Sequence, residues 1–200
     1  MATEDRTIET YNKSARALAE YFRGIGPRKN DIQRAFNMVN RPQPNVVEIG
    51  CGNGRDAQEI LAITPNYIGM DISAGMLRLA RELIPKANFI TGDLANFVAP
   101  ADTDIIFSFA SFLHSPKEDV TTFFENNYDS LNPDGIIYIS TKEKDAYSTE
   151  VQKDQFGERL FYYYTPELVE ELAGGKYKNE YLSRQRISST DWFTMVLRKQ

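Results

Sequence analysis

Three glycines at every second position follow a short apolar run in the stretch VVEIGCGNGRDA, residues 46–57. At Gly50, Gly52 and Gly54 the backbone can approach a ligand closely, because no Cβ intervenes and a positive φ costs little. A helix that starts behind this loop would add free N–H groups and a partial positive charge. Gly52, Gly54 and Ala57 also satisfy the G-x-G-x-x-A form of a dinucleotide fingerprint. The loop therefore predicts a site for a nucleotide-like cofactor without deciding which one.

Three carboxylates surround this loop in the expected fold. Asp71 closes the second predicted strand, where a carboxylate can accept hydrogen bonds from ribose hydroxyls or can cap the following helix. Asp93 closes the third strand in TGDL and could accept from the exocyclic amine of adenine, while Leu94 donates its backbone N–H to the ring. Glu48 lies inside an apolar strand, where a charge is unusual unless it faces a cavity and accepts from an amino group or loop N–H groups. The three acids fit a cofactor with an ammonium and a sulfonium better than one with a pyrophosphate.

The elements that must position these residues alternate along the chain. Short apolar strands are separated by amphipathic helices, and their sequences are NVVEIG, NYIGMDI, ANFITGD, TDIIFSFA and GIIYIST. This alternation predicts an α/β fold with a doubly wound, Rossmann-like sheet of seven mostly parallel strands and helices on both faces. EYLSRQRI and WFTMVLRK are predicted as two closing strands. The link between them is too short for a crossover helix, so they must be antiparallel to each other and the last strand is antiparallel in the sheet.

We expect a single domain over residues 1–200. Residues 1–40 would form two helices that pack across the glycine motif, and residues 45–141 would form the cofactor-binding core. Residues 142–164 are charged and then aromatic, without a clean period, and could be a lid over a substrate or a loop whose tyrosines pad the sheet edge. Residues 165–200 would supply a helix and the closing strand pair.

Composition narrows the partners that we expect. The chain has 23 basic and 28 acidic residues, a net charge of −5, and no Lys/Arg block, so nucleic acid is a disfavoured partner. It shows neither a signal-peptide-like start nor an apolar run long enough to span a membrane, so we expect a cytoplasmic protein without membrane attachment. With Cys51 as the one cysteine and His114 as the one histidine, no metal site is implied. The oligomeric state is not readable from the sequence.

Several motifs together resemble a known family. VVEIGCGNGRDA, GMDIS followed by ML, TGDL, DIIFSFASFLHSPKED and LNPDGIIYIST are similar to the motifs of class I S-adenosylmethionine-dependent methyltransferases. They cover roughly residues 45 to 141, and the two closing strands extend the resemblance to the C-terminus. FLHSPKEDV and FYYYTPELVEELA further resemble a group of small methyltransferases. The resemblance implies S-adenosyl-L-methionine as cofactor.

The resemblance also implies positions for the parts of that cofactor. The glycines of the loop would approach the methionine moiety, and Asp71 with its neighbour Ile72 would hold the ribose. The remaining implied contacts are adenine at Asp93 and Leu94, the sulfonium at Ala110 and the cofactor carboxylate at Tyr11.

His114 is the candidate for acid–base chemistry, because its side chain titrates near neutral pH and it follows the fourth strand. A purely local role is the alternative, since Ser115, Pro116 and Glu118 could cap the next helix. Methyl transfer from a sulfonium can also proceed mainly by positioning, without a base.

The sequence thus predicts methyl transfer to a small-molecule acceptor by direct in-line displacement. An NAD-dependent oxidoreductase and a non-catalytic, cofactor-binding regulatory subunit are the alternatives.

Overall fold

The computed structural model describes residues 3–200 of the chain, with side chains from Asp5 onward. The helices are α1 (Thr3–Lys13), α2 (Ala15–Ile25), α3 (Lys29–Met38), α4 (Ala57–Leu61), α5 (Ala74–Leu83), α6 (Lys117–Asn127) and α7 (Pro166–Leu172). In the described part of the chain, no helix combines the length and the apolar composition that crossing a membrane requires.

Seven strands form the main sheet in the order β3-β2-β1-β4-β5-β9-β8. The strands are β1 (Val46–Ile49), β2 (Tyr67–Asp71), β3 (Asn88–Thr91), β4 (Thr103–Phe109), β5 (Leu131–Glu143), β6 (Ser148–Asp154), β7 (Gly157–Tyr163), β8 (Tyr177–Ile187) and β9 (Thr190–Lys199). Strands β1 to β5 pair in parallel, whereas β9 pairs antiparallel with both β5 and β8. The predicted α/β class, the doubly wound order and the antiparallel last strand are all confirmed.

The sheet is covered on both faces, which explains why its central strands are apolar throughout. Every residue of β1 and β4 is buried. Along each strand, successive side chains point to opposite faces of the sheet. The core on one face contains Val47, Ile106 and Ile137, and the core on the other face contains Val46, Ile105 and Ile136. A strand buried on two sides needs apolar residues at consecutive positions, not at alternating ones.

The N-terminal segment differs from the two helices that the sequence predicts. The apolar stripe from Ile8 to Phe22 belongs to two helices, α1 and α2, which are interrupted at Ser14, and α3 is therefore the third. The hydroxyl of Ser14 donates a hydrogen bond of 2.6 Å to the carbonyl of Phe156. The contact between Ser14 and Phe156 thus occurs where α1 ends and α2 begins. The helical spacing of apolar residues continues through this break and could not reveal it.

Residues 142–164, for which the sequence left a lid and a loop open, consist mainly of two strands that follow a short irregular connection at residues 144–147. Strands β6 and β7 form a two-stranded antiparallel sheet, a hairpin that pairs Ser148 with Tyr163. The hairpin packs on α1, where the hydroxyl of Thr10 donates to the carbonyl of Glu158 at 2.7 Å and Thr7 accepts from the N–H of Leu160 at 2.9 Å.

One buried amide fastens α6 to the segment after β3. Asn127 is fully buried, and its side-chain oxygen accepts from the N–H of Ala99 at 2.7 Å. Its side-chain nitrogen donates to the carbonyls of Phe97, at 3.0 Å, and Phe123, at 2.8 Å. Asn127 therefore satisfies three backbone groups that burial separates from water.

We predict that Asn127→Ala lowers the free energy of unfolding by about 2–4 kcal/mol, because it leaves buried backbone donors and acceptors unpaired. Asn126→Ala is the matched control, since Asn126 is partly exposed and makes a single long hydrogen bond of 3.4 Å to Ala95. The measurement is urea unfolding of both variants and the wild type. Equal losses in the two variants would contradict the assignment.

Candidate active site

A cavity of about 670 Å³ lies at the carboxyl ends of the parallel strands, bounded by α1, α2, the glycine loop and the β6–β7 hairpin. Of the residues that the sequence selected, those that line it are Tyr11, Glu48, Gly50, Gly52, Asp71, Ile72, Asp93, Leu94, Ala110 and His114. Residues far apart in the chain are thus brought to one chamber.

The glycine loop has the backbone that its sequence predicts, but its glycines face different surroundings. Gly50, Gly52 and Gly54 have φ values of 70°, 55° and 78°. A Cβ at Gly50 would lie 2.8 Å from the Oγ of Ser111, whereas a Cβ at Gly52 would enter open space. A ligand can therefore approach the backbone at Gly52 closely.

Gly54 is turned towards the core and is not part of the cavity wall. A Cβ there would lie 3.4 Å from the Cβ of Ala80 on α5 and 3.4 Å from the ring of Phe89 on β3. A glycine fits this position because the backbone is left-handed and the packing is close. The predicted approach of Gly54 to the cofactor therefore finds no support in this geometry.

Asp71 holds the loop in place as well as lining the cavity. Its Oδ2 accepts from the N–H of Gly52 at 2.8 Å, and its Oδ1 accepts from the N–H of Ser73 at 2.8 Å. The side chain of Ser73, not of Asp71, caps α5 through the N–H of Met76. Each carboxylate oxygen keeps a second lone pair, so Asp71 can also accept from a ligand hydroxyl.

Glu48 is a buried acid at the floor of the cavity, with an exposed fraction of 2%. The hydroxyl of Tyr67 donates to its Oε2 at 2.5 Å. Burial, together with the charge of the nearby Asp56, raises the pKa of Glu48 to about 8. A cation bound beside Glu48 would favour its ionised form, so the site suits the ammonium of an amino acid.

Asp93, Leu94 and Ala110 complete the predicted set. Asp93 accepts from the N–H of Ala95 at 3.4 Å and precedes a short 3-10 turn at Leu94–Asn96. Ala110 has a φ of 58°, a left-handed conformation that is costly for a residue with a Cβ, and it donates its N–H to Ser140 at 2.8 Å. Strained backbone of this kind is frequent at sites that bind ligands.

His114 is half-buried and hydrogen-bonded at both ring nitrogens. Its Nδ1 lies 2.8 Å from the carbonyl of Leu160, which only accepts, so Nδ1 carries the proton. Its Nε2 therefore accepts from the hydroxyl of Tyr11, 2.9 Å away. Burial lowers the pKa of His114 to about 3, so the imidazole is neutral at ordinary pH. The capping alternative is wrong in its detail, because α6 begins at Lys117 and follows Pro116 instead of Ser115.

The cavity is also lined by four cations that were not selected from the sequence, Arg28, Arg55, Lys142 and Arg159. The sequence does carry a signal for Lys142. It is a charged residue near the carboxyl end of an apolar strand, β5, just as Asp71 is at the end of β2. Arg159 gave no signal because the hairpin that carries it was not predicted.

Residues 46–135 match the family model described as "Methyltransferase domain". This part of the chain, a little under half of it, is therefore similar to a methyltransferase domain. The glycine loop and strands β1 to β4 lie in this matched part. The family predicted from the sequence is thereby confirmed, and its match favours methyl transfer over NAD-dependent oxidation.

Curated relatives show the same similarity over part of their length. A trans-aconitate 2-methyltransferase of Afipia carboxidovorans is 38% identical over 96 residues, which are 47% of this chain and 37% of the relative. A malonyl-[acyl-carrier protein] O-methyltransferase 1 of Ilyobacter polytropus is 30% identical over 141 residues, 68% of this chain and 52% of the relative. The matches therefore span about a third to a half of these relatives.

Among solved structures, an S-adenosylmethionine-bound amino pentose methyltransferase from Micromonospora echinaspora matches with a TM-score of 0.70 at 15% identity, over 92% of this chain and 97% of the other. At that identity the likeness shows the fold. The predicted cofactor, S-adenosyl-L-methionine, agrees with the family and with this neighbour.

The site's own geometry agrees with this cofactor as well. Gly52 leaves room for close approach, Glu48 suits an ammonium, and Asp71 can still accept from a hydroxyl.

We predict that Glu48→Gln gains stability relative to the wild type as pH rises from about 5 to about 8, by roughly 1 kcal/mol per pH unit. In that range Glu48 ionises in the unfolded chain but stays protonated in the folded one, because burial raises its pKa from 4.5 to about 8. The folded wild type therefore binds the extra proton and loses stability as protons become scarce.

The measurement is thermal unfolding of the wild type and the variant at several pH values. Glu125→Gln, at an exposed position on α6, should keep a constant difference from the wild type. Parallel profiles for Glu48→Gln and the wild type would disprove the raised pKa.

Proposed function

We propose that this protein transfers a methyl group from S-adenosyl-L-methionine to a small-molecule acceptor by direct in-line displacement. The observation that carries the proposal is a single cavity with two ends. The cofactor end lies at the glycine loop, and the acceptor end is lined by the β6–β7 hairpin and β9. S-adenosyl-L-methionine supplies, when bound, an electrophilic methyl group on a sulfonium. The protein then has to hold two ligands in line, which by itself lowers the barrier.

The cofactor end would be formed by residues of the glycine loop and of the strand ends. The backbone at Gly50 and Gly52 would face the methionine moiety, with Glu48 near its ammonium. Asp71 and Ile72 would hold the ribose. The adenine would lie at Asp93 and Leu94, and Tyr11 would close this end from α1.

Ala110 would mark the boundary between the two ends, because it follows β4 between the glycine loop and His114. Beyond it the wall contains Phe161, Trp192 and the cations Arg28, Lys142 and Arg159. We propose that the hairpin serves as a cover for the acceptor, since its inner face supplies Arg159 and Phe161 to the wall. A chamber closed in this way suits a small molecule.

A general base at His114 stays a prediction, and the structure favours a positioning role for this residue. Both ring nitrogens are engaged, and burial keeps the pKa of His114 at about 3. His114 joins Tyr11 on α1 to Leu160 on β7, so it fixes two walls of the cavity. An acceptor that has no proton to lose would need no base.

The names of two relatives support an acidic acceptor, which is a small molecule in the first case and is attached to a carrier protein in the second. Their names give trans-aconitate and malonyl-[acyl-carrier protein] as the molecules that they methylate.

We predict micromolar binding of S-adenosyl-L-methionine and S-adenosylhomocysteine and no binding of NADH, measured by calorimetric titration. Asp71→Ala should weaken adenosyl binding at least tenfold, because it removes the ribose acceptor and frees the N–H of Gly52 from its bond. Asp129→Ala, at an exposed position after α6, should bind like the wild type.

The outcomes separate the three functions that the sequence allowed. Binding of NADH in place of the adenosyl ligands would replace the proposal by an oxidoreductase. Adenosyl binding without methylation of any acceptor tested would favour a non-catalytic regulatory subunit.

A further inference from the structure

Three cationic side chains lie along one side of the acceptor end. The Nη1 of Arg28 donates to the Oγ of Ser140 at 3.0 Å, and Lys142 follows two residues later on the same face of β5. Arg159 reaches the same region from β7 and acts electrostatically on Lys142. All three cations line the cavity that also contains Ala110.

Lys142 has no carboxylate of its own in the part of the chain that the structure describes. Its Nζ lies 3.4 Å from the Oε1 of Gln152 and 3.5 Å from the ring centroid of Phe161. The nearby acid Glu150 is bound by Lys144 instead, at 2.8 Å. Burial, together with the charge of Arg159, lowers the pKa of Lys142 to about 8. An anion at this place would stabilise the ammonium.

Arg159 is only partly satisfied. Its guanidinium pairs with Asp154 through Nη2, but its Nε is buried and has no hydrogen-bond partner within residues 3–200. The guanidinium also lies 5.4 Å from the ring centroid of Phe161 and 5.7 Å from that of Tyr11. A buried donor without a partner is costly unless a ligand supplies the acceptor.

We propose that the methyl acceptor is a carboxylic acid whose carboxylate is bound by Lys142 and Arg159. This inference rests on the proposed function and assigns the substrate class of the same site. An amine acceptor arrives as an ammonium, which Lys142 would repel because no carboxylate pairs with it among the described residues. Arg28 and Arg159, in contrast, are paired with Asp31 and Asp154. A carboxylate is attracted by Lys142, and it can accept from both Lys142 and Arg159.

The chemistry of the step agrees with the arrangement around His114. A carboxylate oxygen of the acceptor forms the new bond to the methyl carbon, while the bond from that carbon to sulfur breaks and leaves its electron pair on sulfur. The negative charge of the carboxylate and the positive charge of the sulfonium disappear together, and no proton is released. The neutral imidazole of His114, bonded at both nitrogens, is compatible with a reaction that needs no base.

The test is calorimetric titration of the S-adenosylhomocysteine complex with malonate, succinate and trans-aconitate, each beside its full methyl ester and beside inorganic phosphate. We expect at least one acid to bind, and its ester and phosphate to bind at least tenfold more weakly. Lys142→Gln and Arg159→Gln should each weaken the acid at least tenfold. Lys153→Gln, at an exposed position on β6 outside this cavity, should leave the affinity unchanged.

Proton uptake gives a second readout that a structural role would not change. Near pH 8 Lys142 is partly deprotonated, and a bound carboxylate would restore its charge. The acid should therefore bind the wild type with uptake of protons, measured in buffers of different ionisation enthalpy. That uptake should be lost in Lys142→Gln.

The inference is overturned if no acid binds, if the esters or phosphate bind as well as the acids, or if neither substitution weakens the acid. Titration of each variant with S-adenosylhomocysteine alone separates this result from failure of the proposed function. Unchanged affinity for that ligand with lost acid binding supports the carboxylate site. Absence of adenosyl binding in the wild type would overturn both proposals.

Discussion

The order of the parallel strands is the constraint on which the site depends. The chain passes from β1 to β2 and β3 on one side of the sheet and then crosses to β4 and β5 on the other. Loops that leave neighbouring strands in opposite directions open a crevice at their carboxyl ends. The glycine loop, Asp71, Asp93 and Ala110 all follow strands at that edge, and they therefore meet although long stretches of chain separate them.

Charge is divided between the two ends of the cavity. Glu48, Asp71 and Asp93 lie around the glycine loop, together with Arg55, and Lys142 and Arg159 line the wall made by β5 and the hairpin. Burial shifts the pKa of Glu48 upward and that of Lys142 downward, because each group loses hydration that would stabilise its charge. Both groups are poised to gain a charge when a ligand of opposite sign arrives. The protein thus complements a cation at one end and an anion at the other.

The wall of the cavity opposite the sheet is built by the N-terminal helix and the hairpin together. Thr10 and Ser14 donate to backbone carbonyls of the hairpin, and Tyr11 is hydrogen-bonded to His114, which in turn holds Leu160. Hydroxyl groups on α1 and at Ser14 thus form hydrogen bonds with backbone groups of the hairpin that no third strand pairs with. Small hairpins are marginal alone, so the helix is what stabilises this one.

The sequence by itself determined the sheet, the glycine loop and most of the cofactor end. Strand alternation, the positive-φ glycines and acids at strand ends are local signals whose geometry follows from chain direction and backbone sterics. For this reason the position of Glu48, Gly52 and Asp71 at one edge of the sheet could be predicted before any contact was known. The break at Ser14, the β6–β7 hairpin and the orientation of Gly54 depend on partners elsewhere in the chain. Their local sequence carries no record of those partners.

Only the tertiary structure decided the protonation state of the titratable groups and which residues line the acceptor end of the cavity. The imidazole of His114 is neutral because it loses hydration between Tyr11 and the carbonyl of Leu160, and neither neighbour is adjacent in sequence. Arg159 joins the cavity because the hairpin folds back over it. Electrostatic properties of this kind depend on distance and desolvation, which are set by packing and not by residue type.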